Sequence, residues 1–242
     1  MRTLILAIET AGESWDELDA ATRADLTRQI DRSAQSDAER AAALEDVVRD
    51  LRLSPLTGRI AALAVCDRER AGTTAYDASS GNGADTTTDS LRLRERDEAT
   101  LLQEFWDGAR HYDAFVTFSG RNFALPFLLL RSVTCGVRPT VDLLRSRYLS
   151  RQHPPYHIDL ADEFSFYGAL PHRPSLSRLC HTFGIACPQG EEPLSTATDA
   201  QSETASGSDR AMTAAAAVRA ASALYDRWLT YLAPPEFLNK LD

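Results

Sequence analysis

Two short apolar runs, residues 3–8 (Thr-Leu-Ile-Leu-Ala-Ile) and 58–65 (Gly-Arg-Ile-Ala-Ala-Leu-Ala-Val), constrain the fold of this chain more than any other feature. Each is too short for a core helix and lacks the alternation of a half-buried strand. Both therefore predict strands buried on two faces. Such a sheet needs helices above and below it. Residues 14–50 are polar and helix-prone, with Ser36-Asp-Ala-Glu39 as a capping-box pattern ahead of a helical periodicity over 41–51. Residues 98–108 read as an amphipathic helix and 113–118 as another strand. Gly120 then turns the chain into a helix beginning near Asn122, with Pro126 in its first turn. Segments around 73–78 and 90–93 suit antiparallel partner strands, and 77–89 reads as a loop from its Ser, Gly, Asn, Asp and Thr content. Residues 140–180 alternate short helical pieces with loops. Residues 191–210 are acidic and Ser/Thr-rich without periodicity, which predicts a flexible insertion, and 211–232 form an alanine-rich helix.

At 242 residues and 43% hydrophobic content, one α/β domain with one substantial core accounts for the chain. No apolar run approaches the roughly 18 residues of a membrane span, and Glu9 interrupts the first run too early for a signal peptide. A soluble, cytoplasmic protein without a membrane partner is the expectation. The formal charge of −9, from 35 acidic and 26 basic residues, excludes a nucleic-acid coat protein with a basic footprint. It leaves room for a nuclease, whose own site is acidic. Cys66, Cys135, Cys180 and Cys187 form no Cys-x-x-Cys pair. Their spacing with His172 and His181 matches no usual zinc pattern, so buried thiols are the expectation and no metal-ligating set is assigned.

Three segments taken together carry the chemistry. Leu4-Ile-Leu-Ala-Ile-Glu-Thr10 is a hydrophobic strand ending in an acid and a threonine. Phe118-Ser-Gly-Arg-Asn-Phe-Ala-Leu-Pro-Phe127 is a glycine turn leading into an apolar helix. Val218-Arg-Ala-Ala-Ser-Ala-Leu-Tyr-Asp-Arg-Trp228 is an aromatic-ended helix. In this order they resemble the three motifs of DEDD-type (DnaQ-like) 3′–5′ exonucleases, in the group related to the proofreading domain of B-family DNA polymerases. Residues 148–153, 157–168 and 175–185 resemble the linker of that group. The resemblance implies an α/β, ribonuclease-H-like fold: a mixed five-stranded sheet flanked by helices, as one domain over 1–242. Variable insertions fall near 11–50 and 70–90, with a flexible segment at 188–210.

In that family four carboxylates hold two divalent metals that activate water and stabilise the leaving oxygen. Carried over by motif, the first aspartate position is Ala7, the glutamate is Glu9, the second aspartate is Ala124 and the third is Ala217; the tyrosine position is Thr213. Glu9 is the only retained acid. A methyl group cannot ligate a hard cation that needs oxygen donors. Ala214 to Ala216 beside Thr213 point to drift of the whole helical turn. The implied function is a catalytically inactive or severely weakened exonuclease-fold protein that binds single-stranded nucleic acid through Thr10, Arg121, Asn122 and Phe123, with no cofactor expected. Two alternatives stand beside it: an active or artificially inactivated exonuclease using Mg²⁺ or Mn²⁺ on other carboxylates, and a scaffold for protein partners. Glu9 reads as a lone solvated carboxylate or the ligand of one weakly held ion. His157 and Asp159 read as structural residues or a substitute metal pair. Asp16, Asp113 and Asp162 read as surface carboxylates, Asn122 as an alternative helix cap, and Arg145, Arg147 and Arg151 as a solvated face or a track for a phosphate backbone.

Overall fold

The protein is described by a computed structural model over residues 1–70, 72–78, 81, 83, 85–88, 91–186 and 206–240. The two apolar runs form its central hairpin. Strand β1 (Thr3–Gly12) pairs antiparallel with β2 (Gly58–Asp67), and β3 (Gly72–Asp77) pairs antiparallel with β2. On the other side of β1, β6 (Ala114–Thr117) and then β7 (Tyr156–Asp159) run parallel to it. These five strands, in the order β3-β2-β1-β6-β7, make the expected ribonuclease-H-like sheet. Two more extend it beyond β3: β5 (Leu91–Glu95) and β4 (Asp85–Thr87), giving seven strands among the described residues.

The sequence reading differs from the structure at several points. The segment around 90–93 pairs parallel with β3, not antiparallel, because β4 from within the expected loop takes its antiparallel edge. Strand β7 lies where only helical pieces and loops were expected. Its Tyr-His-Ile-Asp is a short run buried throughout, which periodicity cannot distinguish from a helical fragment. The expected flexible insertion lies largely outside the described residues, as does Cys187. Its last part, Ser206 to Arg210, is the start of a helix, where the Ser206 side chain and the Asp209 carboxylate cap each other's backbone N–H groups.

Helices cover both faces. On one, α3 (Glu98–Ala109) and α4 (Ala124–Thr134) pack over Leu4, Leu6, Ile8, Leu63 and Phe115. The Trp106 indole N–H donates to Ser132 Oγ at 2.8 Å, and Glu98 binds Arg131 through both oxygens, at 3.0 and 2.8 Å. Before β2, α1 (Ala20–Ser33) and α2 (Asp37–Asp50) form a pair. On the opposite face α5 (Leu160–Phe164), α6 (Leu176–Phe183) and the long α7 (Gly207–Tyr231) cover Ile5, Ala62, Ala64 and Ala75, with α8 (Pro235–Leu238) following. No described helix is long and apolar enough to cross a membrane.

The seam beneath α7 is built from alanine on both sides: Ala211, Ala214 and Ala215 on the helix, and Ala62, Ala64 and Ala75 on the strands, all fully buried. Close-packed interiors have no slack for added methylenes. Ala215→Leu is therefore expected to destabilise the protein by about 1–3 kcal/mol, read as a lower urea midpoint at constant m-value. Arg219→Leu, on the exposed side of the same helix, leaves the midpoint within about 0.5 kcal/mol of the parent. Equal effects of the two substitutions would refute the tight seam.

Candidate functional site

Glu9, Ala62 and Asp77 lie in one row across β1, β2 and β3, and Glu95 on β5 continues it. Directly opposed residues of a sheet share a face, here the one beneath α7. Arg59 stands nearby, opposite Ala11. Two interactions set the direction of α7. Arg210, in its first turn, is within electrostatic reach of Glu9, Asp77, Arg59 and Arg52. Near its other end Asp226 accepts from Arg68, 2.9 Å away, and Arg68 N–H donates to the Thr3 carbonyl. The helix thus runs antiparallel to β1.

This arrangement puts the Arg210 guanidinium within electrostatic reach of both Glu9 and Asp77. Burial and then Arg59 pull the Arg210 guanidinium below the usual arginine range; Glu9 and Asp77 oppose that shift, and Arg52 adds to it. With about 1.5 Å of rise per helical residue and 3.3 Å per strand residue, Ala217 falls about three strand positions back from Glu9, at the level between Ala7 and Ile5. Ala7 and the half-buried Thr213 and Ala217 are therefore on one side of the sheet. Ala124 is not with them in the core: it begins α4 and packs into the cluster on the opposite face.

A two-metal centre needs several oxygen donors converging on ions about 3.5–4 Å apart. The donor set here does not fit one. Ala7, Ala124 and Ala217 offer methyl groups, and Glu9 is accompanied by a guanidinium. Among the described residues no three His, Cys, Asp or Glu side chains group together to hold an ion.

A second polar cluster sits where β6 and β7 end. The Asp159 carboxylate accepts from the backbone N–H groups of Ser119, Arg121 and Ala161, at 2.9, 2.9 and 3.1 Å, and so holds the β6–α4 turn against β7. Burial raises the pKa of Asp159, while the Arg121 N–H lowers it. The Arg121 side chain donates to the Ser146 carbonyl at 2.8 Å and to His157 Nδ1 at 3.3 Å. Guanidinium cannot accept, so Nδ1 is the acceptor and Nε2–H donates to Thr117 Oγ1 at 2.8 Å. Burial, with Arg121 adding to it, pushes the His157 pKa down to about 3. His157 and Asp159 are thus committed to structure. Gly120 is dictated by the same cluster, since a Cβ there would lie 2.3 Å from Thr117 Oγ1.

The remaining candidates fall apart spatially. The Thr10 hydroxyl is buried and donates to the Arg52 carbonyl at 2.7 Å. Asn122 is exposed, and the cap position of α4 belongs to Phe123, whose ring stacks obliquely on Phe127 at 5.0 Å. Asp16 and Asp113 are at the surface, but Asp162 is only 2% exposed and holds both Arg147 and Arg173. Asp77, Gln152, Arg173 and Arg210 were not singled out by sequence. Arg210 had one available signal, the capping signature Ser206-Gly-Ser-Asp209 that starts its helix.

The fold and the arrangement at the strand ends define an α/β, ribonuclease-H-like, exonuclease-related protein. The chain belongs to the family described as predicted 3′–5′ exonucleases related to the exonuclease domain of PolB, whose sequence model matches residues 70–190, half of the chain. Among solved structures, the family B DNA polymerase of the hyperthermophilic archaeon Pyrobaculum calidifontis is similar at a TM-score of 0.49 and 17% identity, over 94% of this chain. This chain spans 24% of that polymerase's length. No curated protein matches it.

Because folded His157 has a pKa near 3 against an ordinary 6.5, acidification protonates the unfolded chain first. The stability contributed by the neutral ring is complete above pH 6.5 and is lost as pH falls from 6.5 toward 3. Urea unfolding at pH 7 and pH 5 is expected to show about 2 kcal/mol more acid loss in the parent than in His157→Gln. Parallel pH profiles for the two would contradict a buried neutral histidine.

Proposed function

We propose that this chain is a 3′–5′ exonuclease-fold protein whose metal centre has degenerated, leaving hydrolysis lost or severely weakened and single-stranded nucleic acid binding retained. The observation that carries this reading is the charge environment at the end of β1: Arg210 is within electrostatic reach of Glu9, the one acid of the motif, while Arg59 stands opposite Ala11 and Arg52 takes the Thr10 hydroxyl on its carbonyl. Cations there compete with a divalent metal for the carboxylate and favour an anionic ligand instead. Alanine at positions 7, 124 and 217 supports the same reading, because the fold retains the elements that carry the motifs while their carboxylates are missing. The exposed Asn122 and the half-buried Arg121 and Phe123 line the turn into α4, which in this reading receives the strand. Thr10 contributes by fixing the end of β1 through its bond to Arg52.

The test is degradation of 3′-labelled single-stranded DNA and RNA with Mg²⁺ or Mn²⁺, with Glu9→Gln in parallel. No metal-dependent shortening is expected from either protein, and oligonucleotide binding is expected to be the same with and without EDTA. Shortening by the parent that Glu9→Gln abolishes would mean that other carboxylates complete a working centre, and the degenerate reading would fall.

A further inference from the structure

Beyond the turn into α4, the stretch from residue 145 to 173 carries an exposed aromatic and cationic surface. The rings of Tyr148 and Tyr167 lie 5.0 Å apart, tilted by 41°. The Arg151 guanidinium sits 5.8 Å over the Tyr148 ring, and that of Arg147 sits 5.9 Å over the Tyr167 ring. Arg147 also reaches Asp162 through two bonds, at 3.0 and 2.7 Å, and Arg173 joins the same carboxylate at 3.0 Å. Asp162 is 3% exposed in its side chain, whereas Arg147 and Arg173 are 45% and 33% exposed. One buried acid therefore anchors two arginines, and the surface formed with Arg151 is cationic and aromatic.

The backbone beneath this surface is unusual. Phe166 and Tyr167 are consecutive bulky residues with left-handed φ values of 50° and 56°, followed by Gly168 at 97°. Such a conformation persists only where the surroundings enforce it, and it clusters at functional sites. The enforcing contacts are present: the Tyr167 hydroxyl is held by Glu163, whose other oxygen accepts from the Trp228 indole at 3.2 Å. The turn leaves Phe166 55% exposed, and Tyr148 is 48% exposed. A large aromatic residue exposed on a strained turn, with the exposed Tyr148 ring against the same turn's Tyr167, is poorly explained by packing.

We infer that Tyr148, Phe166 and Tyr167, flanked by Arg147, Arg151 and Arg173, form a stacking platform for the bases and phosphates of single-stranded nucleic acid. The inference rests on the nucleic-acid reading above and assigns it a second surface. Flat aromatic faces accept any base, while guanidinium groups neutralise phosphates and stack on bases themselves. Complementary charge selects this occupant over an acid-poor or apolar peptide. The platform is also continuous with the turn: Arg121 reaches back to the Ser146 carbonyl, and its guanidinium feels the charge of Arg147. A strand crossing the turn thus has a guided path along one side of the protein.

The experiment is fluorescence anisotropy of the full chain with labelled dT12 and rU12 across a salt series. Variants are Tyr148→Ala, Tyr148→Phe and Arg151→Ala, at exposed positions, with melting curves confirming the fold. Tyr148→Ala is expected to weaken binding about tenfold and Tyr148→Phe to retain it, since the ring face and not the hydroxyl supports a base. Arg151→Ala is expected to lower the slope of log K against log salt by about 0.7. Binding by the parent that neither alanine variant changes would overturn the platform while leaving nucleic-acid binding at the turn intact. No binding by the parent at low salt would overturn both.

Discussion

The close approach of α7 to the sheet sets the position of everything else on that face. With only methyl groups at Ala211, Ala214, Ala215, Ala62, Ala64 and Ala75, the facing surfaces carry the least side-chain bulk that residues other than glycine permit. At the far end of the helix the gap is filled by Tyr225 and Trp228, stacked at 5.7 Å, with Phe237 against Trp228. Small residues at one end and large ones at the other fix both the tilt and the register of α7. That register brings Arg210 within electrostatic reach of Glu9 and Asp77, so an arginine in the first turn of a late helix joins the charge environment at the end of the first strand.

The other determinant is a single carboxylate. Asp159 takes three backbone N–H groups and thereby joins β7, the β6–α4 turn and the start of α5. A buried acid is costly unless its acceptor sites are filled, and here they are filled by groups that would otherwise be unpaired at turn and helix starts. The neighbouring His157 is kept neutral by the same burial, with each ring nitrogen given one partner. Acid and imidazole are thus used for shape where β6 and β7 end. Their engagement explains why two residues suggestive of metal binding in sequence make no metal group.

Much of this was legible in the sequence and some of it was not. The continuous apolar runs of β1 and β2, the helix N-cap at Ser36 and the alanine-rich α7 each have a local cause, so local patterns suffice to find them. Strand β7 has four residues and no alternation, and the two strands beyond β3 come from a polar stretch whose pairing depends on the edge that β3 presents. The candidate site divides the same way. The row of positions on β1 is visible because a strand alternates. The arginines around Glu9 come from residues 52, 59 and 210, and only the folded register of α7 and β2 brings them together. Asp162 was read as a surface acid because nothing in the sequence marks the two arginines that bury it.

These local arrangements also resolve an apparent conflict with the overall charge. A protein at −9 repels a polyanion at long range, but beyond about 8–10 Å that repulsion is screened at physiological salt. At contact, the charges that matter in the proposed reading are those lining the strand's path. Several of the acids along it are engaged with cations: Glu9 and Asp77 lie near Arg210, and Asp162 binds Arg147 and Arg173. Asp162 consequently presents the Arg147 and Arg173 guanidinium groups to the outside in place of its own charge. The buried acid Asp162 is in this way kept in the frame of the fold while the arginines that hold it face outward, which is the charge arrangement the proposed reading requires.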